Sequence, residues 1–132
     1  VTALEILFQV QSHQSEGLTD DILHRMCDEA LERNSILTGG GGRFVRDLVF
    51  GTWKHRHEYD DAIASRSEGW PLHRIGRVES AIMRMALHEL RRMDTPRSVV
   101  IDEAVELAKQ YASSRAASFI NGILGSLVTQ QM

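Results

Sequence analysis

The chain has 132 residues, 42% of them hydrophobic and 25% charged, so it is long enough for one folded domain and too rich in apolar residues to stay disordered. Its single cysteine, Cys27, excludes an internal disulfide framework and any multi-cysteine metal centre. A formal net charge of −3 at pH 7 and a sequence pI near 6.1 exclude a strongly basic, stand-alone nucleic-acid binder. The charge is uneven, however. Residues 1–40 hold two basic and seven acidic side chains, whereas residues 41–132 hold thirteen and eleven, so any anion-binding patch belongs to the later part. Thirteen of the fifteen basic residues are arginine, whose planar fork suits phosphate and carboxylate alike. No apolar run is long enough to span a membrane, and the first residues show no signal-peptide core, so a cytoplasmic domain without a membrane segment is expected.

Apolar spacing is helical almost throughout. Leu4, Leu7 and Phe8, with Ile6 and Val10 beside them, read as a helix already under way at the start of the chain. Thr19 precedes Asp20 and Asp21, a cap followed by first-turn acids, and Ile22, Leu23, Met26, Ala30 and Leu31 continue that helix to about Arg33. Asn34 and the run Gly39–Gly42 read as a break and a mobile connection. From Phe44 to Ile63 the spacing predicts one long amphipathic helix, closed off by Trp70-Pro71, with a short helical turn from Leu72 to Ile75 ending at Gly76. Val78, Ile82, Met85, Ala86, Leu87 and Leu90 mark the most apolar helix, hydrophobic on more than one face and therefore central. Within it, Arg84 and Glu89 are expected to pair inside the fold. Thr95-Pro96 ends this helix, and Ser98 is the candidate cap of the next, which runs from Val100 to Tyr111. Ser113 and Ser114 are candidate caps for the last, from Ala117 to Val128. No alternating strand pattern of useful length occurs. The expected class is all-α, a single compact bundle of six or seven helices forming one domain over residues 1–132.

Catalytic chemistry finds little support. His24 and Cys27 stand three apart on one helix, but two ligands do not make a metal site, and a buried thiol beside a surface histidine is the simpler reading. His55 and His57 lie on faces roughly 200° apart and cannot hold one ion. Asp102, Glu103 and Glu106 crowd the start of a helix, where its dipole favours them without any acid–base role. Ser113, Ser114 and Ser118 have no nucleophile-elbow context, and the glycine run lacks the Lys-Ser or Lys-Thr of a phosphate loop. No enzyme activity and no cofactor are expected. The segment Phe119-Ile120-Asn121-Gly122-Ile123-Leu124 is more specific, because asparagine and glycine interrupt an apolar helix against their propensities. Periodicity favours a structural reason: Gly122 admitting a close neighbouring helix and Asn121 bonding a neighbouring backbone.

Four blocks of the chain together resemble the NusB family. They are Ala3-Leu4-Glu5-Ile6-Leu7-Phe8-Gln9, the stretch from Arg77 to Leu90, the stretch Val100-Ile101-Asp102-Glu103-Ala104-Val105-Glu106-Leu107-Ala108-Lys109-Gln110-Tyr111, and Phe119-Ile120-Asn121-Gly122-Ile123-Leu124. They occur in the family order and span most of residues 3–124. The resemblance implies an all-α fold of two helical subdomains and a non-enzymatic role in transcription antitermination. It implies binding of boxA-like single-stranded RNA in ribosomal RNA operons together with NusE, a small-subunit ribosomal protein, within an assembly on RNA polymerase. Matched position by position, it implies RNA contacts at Phe8, Gln11, Lys109, Arg115 and Phe119, and a partner contact at Glu79. Homodimerisation is compatible with the resemblance.

The 132 residues open at Val1 inside what reads as the first helix, so the Arg-rich arm that precedes that helix in the family is not among them. The chain departs from the family at two positions. Gly125 replaces an aspartate after the last block, and Arg115 occupies a loop position that the family often fills with a small or acidic residue. Two other readings stand beside this one. One is the NusB-like RNA-binding domain of a ribosomal RNA cytosine methyltransferase, disfavoured because the residues after Leu127 do not read as a linker. The other is a homodimeric helical interaction module with a self-complementary apolar face.

Overall fold

Where apolar residues recur at helical spacing, the chain is helical. The computed structural model describes Leu4, Ile6, Leu7 and residues 20–33, 40–67 and 75–130. Six helices follow one another there: α1 (Asp20–Arg33), α2 (Gly40–Lys54), α3 (Arg56–Arg66), α4 (Arg77–Arg92), α5 (Arg97–Tyr111) and α6 (Ser114–Gln130). Leu4, Ile6 and Leu7 are also helical and buried. No strand occurs among the described residues, and none of their helices is long and apolar enough to cross a membrane. The class is all-α, as the spacing predicts.

Helix α4 is the axis of the packing. It lies against α2, α3, α5 and α6, while α1 packs on α2. Ala81, Ile82, Met83, Met85, Ala86 and Leu87 are all buried along it, six of seven consecutive positions with Arg84 the exception, so the helix is enclosed on several faces. Helices α5 and α6, joined only through Ala112 and Ser113, pack along each other and close one side. Buried residues from Leu4 to Leu127 form one continuous apolar cluster. Each fully buried side chain such as Leu23, Ile63, Ile82, Leu87, Ile120 or Leu124 contributes about 1.5–3 kcal/mol relative to exposure.

Two ionisable residues are buried on α4, His88 and Glu89. Arg92 donates to the Tyr59 hydroxyl oxygen at 3.0 Å, and the same hydroxyl is hydrogen-bonded to His88 Nδ1 at 2.7 Å. Burial, with the Arg92 charge adding to it, holds the His88 pKa down to about 4. Gly51 of α2 lies directly against the ring, and a Cβ there would collide with His88 Nε2 and Cε1. Arg92 also forms a fork with Glu58 at 3.0 Å through each nitrogen, and Arg91 reaches the same carboxylate at 2.9 Å. Hydrogen bonding from Arg92 is the main force drawing Glu58 down to about 2. Arg84 pairs with Asp60 through two bonds of 2.7 and 2.6 Å, as its inward position on α4 predicts. Glu89 differs: no ion pair reaches it among the described residues, and burial, reinforced by the Glu103 charge, raises its pKa to about 7.

Four local expectations are corrected. Gly40–Gly42 are the first turn of α2 rather than a mobile connection, while Gly39 lies outside the described residues. Each glycine costs about 1 kcal/mol of helix propensity, and the burial of Val45, Leu48 and Val49 just behind them offsets it. The long helix expected from Phe44 to Ile63 is two helices, because His55 adopts φ −102° and ψ 17°. The bend places the Arg56 guanidinium 3.9 Å from the Trp53 ring centroid and lets it donate to the Trp53 carbonyl at 2.8 Å, filling an acceptor left open at the end of α2. Ser98 is not a cap. Pro96 holds that position, its carbonyl accepting from Val100 N at 3.1 Å, and α5 starts three residues earlier than the apolar pattern because fixed proline φ suits a helix entry. Asp102, Glu103 and Glu106 therefore lie beyond the first turn, which contains no acid. Ser113, by contrast, caps α6 as expected, its hydroxyl accepting from Ala116 N at 3.0 Å. Thr19 and Trp70-Pro71 lie outside the described residues, as do Leu72, His73 and Arg74 of the short turn expected before Gly76.

Gly122 carries the last correction. Nothing lies within 4 Å of a Cβ built on it, and both it and Asn121 are exposed, so neither serves helix packing. Gly122→Ala should stabilise the fold by about 0.5–1 kcal/mol through helix propensity alone, read as a rise in the urea midpoint with an unchanged slope. Gly51→Ala should cost about 1–3 kcal/mol through overpacking, and His88→Ala in the same chain should recover part of that loss.

The two buried titrations oppose each other in pH. Glu89 has a raised folded pKa, so its contribution is complete below about 4.5 and is lost as pH rises through about 7. His88 has a depressed one, so its contribution is complete above about 6.5 and is lost as pH falls towards 4. Glu89→Gln should therefore gain stability over the parent protein as pH rises from 5 to 8. A gain equal at both ends of that range in chemical denaturation would contradict the assignment.

Candidate nucleic-acid interface

The amino ends of α4 and α6 meet around a cavity of about 260 Å³. Ile75 and Glu79 line it from the α4 side, Ala112 and Ser113 from the short connection, and Arg115, Ala116 and Phe119 from α6. Three residues singled out in the sequence, Glu79, Arg115 and Phe119, are thus brought to one place although 36 positions separate Glu79 from Arg115.

Glu79 stands in the first turn of α4, where the helix dipole favours a carboxylate. Gly76, at the amino cap with φ −64° and ψ 159°, leaves room for it: the carboxylate occupies the space a Cβ on Gly76 would need. Arg115 is in the first turn of α6, not in a loop, so the correction to its setting is also a clue to its use. A cation at a helix amino end opposes the dipole, and local violations of that kind concentrate at functional sites. The guanidinium and the dipole add to give a positive field suited to an anion such as a phosphate. Phe119 is half-buried, packed on the core while its ring contributes to the cavity wall with Ile75. Arg115, Phe119 and Gly122 recur at i, i+4 and i+7, so the side-chain-free stretch at Gly122 continues the same face of α6.

The remaining candidates do not converge here. Lys109 lies on the exposed side of α5, its ammonium 3.5 Å from Glu106, and does not line the cavity. Beside it is a second depression of about 340 Å³ lined by Asp102, Glu103, Glu106, Leu107 and Gln110. Phe8 and Gln11 lie outside the described residues. The bland reading of His24 and Cys27 holds: Cys27 is fully buried with its thiol pKa pushed up by burial, and the exposed His24 ring packs on Phe50 at 4.4 Å. No group of three metal-ligating side chains occurs among the described residues. What sequence reasoning missed is Ile75, Ala112, Ser113 and Ala116 as walls, and the fact that Glu79 shares their cavity. Only the amino-terminal position of Ser113 before α6 signalled part of this.

A family model described as NusB family matches residues 1–129. A transcription antitermination protein NusB from Chloroflexus aggregans is 38% identical, the match covering all of this chain and 85% of that protein. One from Geobacillus kaustophilus is 40% identical over 95% of this chain and 88% of its own length. Among solved structures, T. maritima NusB superposes with a TM-score of 0.83 at 28% identity, covering 98% of this chain and 87% of that one. Sequence, fold and family model agree along nearly the whole length, and the chain belongs to the NusB family.

Proposed function

We propose that this chain is a transcription antitermination factor that binds boxA-like single-stranded RNA together with NusE during transcription of ribosomal RNA operons. The observation that carries the reading is the cavity at the amino ends of α4 and α6, which gathers Arg115, Phe119 and Glu79. An aromatic wall suits an unstacked base, worth about 1–3 kcal/mol per base. The arginine at the helix amino end suits the adjoining phosphate. The name borne by the relatives supports the assignment. The action is binding rather than catalysis.

One cavity is a small platform for an RNA, and the protein's net charge of −3 gives little general attraction. Affinity then depends on a second surface. NusE docked near the amino end of α4 would hold its own RNA-binding groups beside the cavity, so that two weak contacts act at high effective concentration. The pair, recruited to RNA polymerase, would carry the RNA signal into the antitermination assembly. Phe8, Gln11 and Lys109 are proposed as further RNA contacts outside the cavity.

Fluorescence anisotropy of a labelled boxA-like RNA against a scrambled control, with and without NusE, tests the reading. Sequence-dependent binding that tightens with NusE is the expected result, and equal binding of both RNAs under all conditions would overturn it. Arg115→Ala should weaken binding to both RNAs alike and make the log–log salt slope shallower by about 0.7, the value for one lost phosphate contact on a single strand.

A further inference from the structure

Glu79 is the residue of the cavity to which the proposed function gives no contact of its own. The resemblance implies a protein contact for it, yet it lines the same space as Arg115 and Phe119. A carboxylate in an RNA-binding cavity repels phosphate and any carbonyl oxygen or acceptor nitrogen set directly against it. It accepts hydrogen bonds only, through two oxygens side by side. Among the four bases, guanine alone presents two adjacent donors on one edge, N1–H and the N2 amino group, and these match both carboxylate oxygens at once. Adenine and cytosine present an amino group next to an acceptor nitrogen, and uracil presents one N–H between two carbonyls.

The position of Glu79 suits such a reader. The carboxylate rests over Gly76, where the absence of a Cβ leaves it room, and the neighbouring walls are Ile75 and Phe119. A flat heterocycle lying against the Phe119 ring can meet the carboxylate with its edge while its phosphate remains on the Arg115 side. The volume of about 260 Å³ is enough for one base. We propose that the cavity between α4 and α6 accepts a single unstacked guanine of a single-stranded RNA, with Glu79 as the residue that selects it. This rests on the RNA-binding reading and adds a base preference to it.

The test is anisotropy at low salt with labelled nine-nucleotide RNAs, uridine tracts carrying guanine, inosine, adenine, cytosine or uracil at the central position. The intact chain should bind the guanine RNA about ten-fold more tightly than the uracil RNA, a ratio typical of one bidentate side-chain–base pair. Inosine, which keeps N1–H and lacks the N2 amino group, should fall between them. Glu79→Gln should lose the guanine preference while still binding RNA, because its amide offers a donor where an acceptor is required. Gly76→Ala should do the same without altering charge, since the new methyl displaces the carboxylate. Its extended backbone is open to alanine, and matching circular dichroism melts would confirm folding. Equal affinity of the intact chain for all five RNAs would overturn the guanine assignment and leave RNA binding standing. A guanine preference that survives in Glu79→Gln would overturn the role of Glu79, most clearly if that variant weakens NusE binding instead. Binding to none of the RNAs, with or without NusE, would overturn the RNA reading itself.

Discussion

The enclosure of α4 governs this molecule. A helix with neighbours on several faces must bury nearly every side chain it carries, and at His88 and Glu89 those side chains are ionisable. Burial of an unpaired charge is costly, so each is driven towards its neutral form, one by a low pKa and the other by a high one. His88 additionally has the Tyr59 hydroxyl, itself held by Arg92, and a glycine opposite so that α2 can approach. The ion pairs lie further out, where Arg84 meets Asp60 and where Arg91 and Arg92 share Glu58. The central helix is thus neutral within and clamped by charges at its rim.

Fixing α4 also fixes where its amino end points. Helices α5 and α6 are held against it, and the short Ala112–Ser113 connection brings the start of α6 beside the start of α4. Two helix amino ends meeting in this way create a polar recess backed by apolar residues. The two ends carry opposite charges, Glu79 on α4 and Arg115 on α6. Opposite charges that line one recess suit a ligand with both a negative group and a donor edge, and a nucleotide has both.

The distribution of charge reconciles a mildly acidic chain with a proposed RNA partner. Acids concentrate before residue 40 and in the depression on α5, while several arginines of the later helices are consumed by Asp60 and Glu58. Under the proposed function, local geometry at the cavity and a second protein supply what a net charge of −3 does not, which favours selective over indiscriminate binding.

The all-α class, the central place of α4, the inward turn of Arg84 and the Ser113 cap were legible in the sequence, since each follows from spacing or from local capping chemistry. The bend at His55 was not, because Phe44 to Ile63 keeps an apolar period across it, and the Arg56–Trp53 contact that accompanies the break carries no apolar signal. Nor was the helical state of Gly40–Gly42, where core burial behind them outweighs propensity. Gly122 read as a packing residue and is exposed, because periodicity shows which face a residue shares but not whether a neighbour covers it. Family membership was already carried by four short blocks of sequence. Their meeting point was not: the cavity joins Glu79 to Arg115 and Phe119 across distant parts of the chain, a contact set by helix packing and by the two-residue connection between α5 and α6. Sequence determined which helices form and what each carries, whereas tertiary packing decided which of their ends face one another.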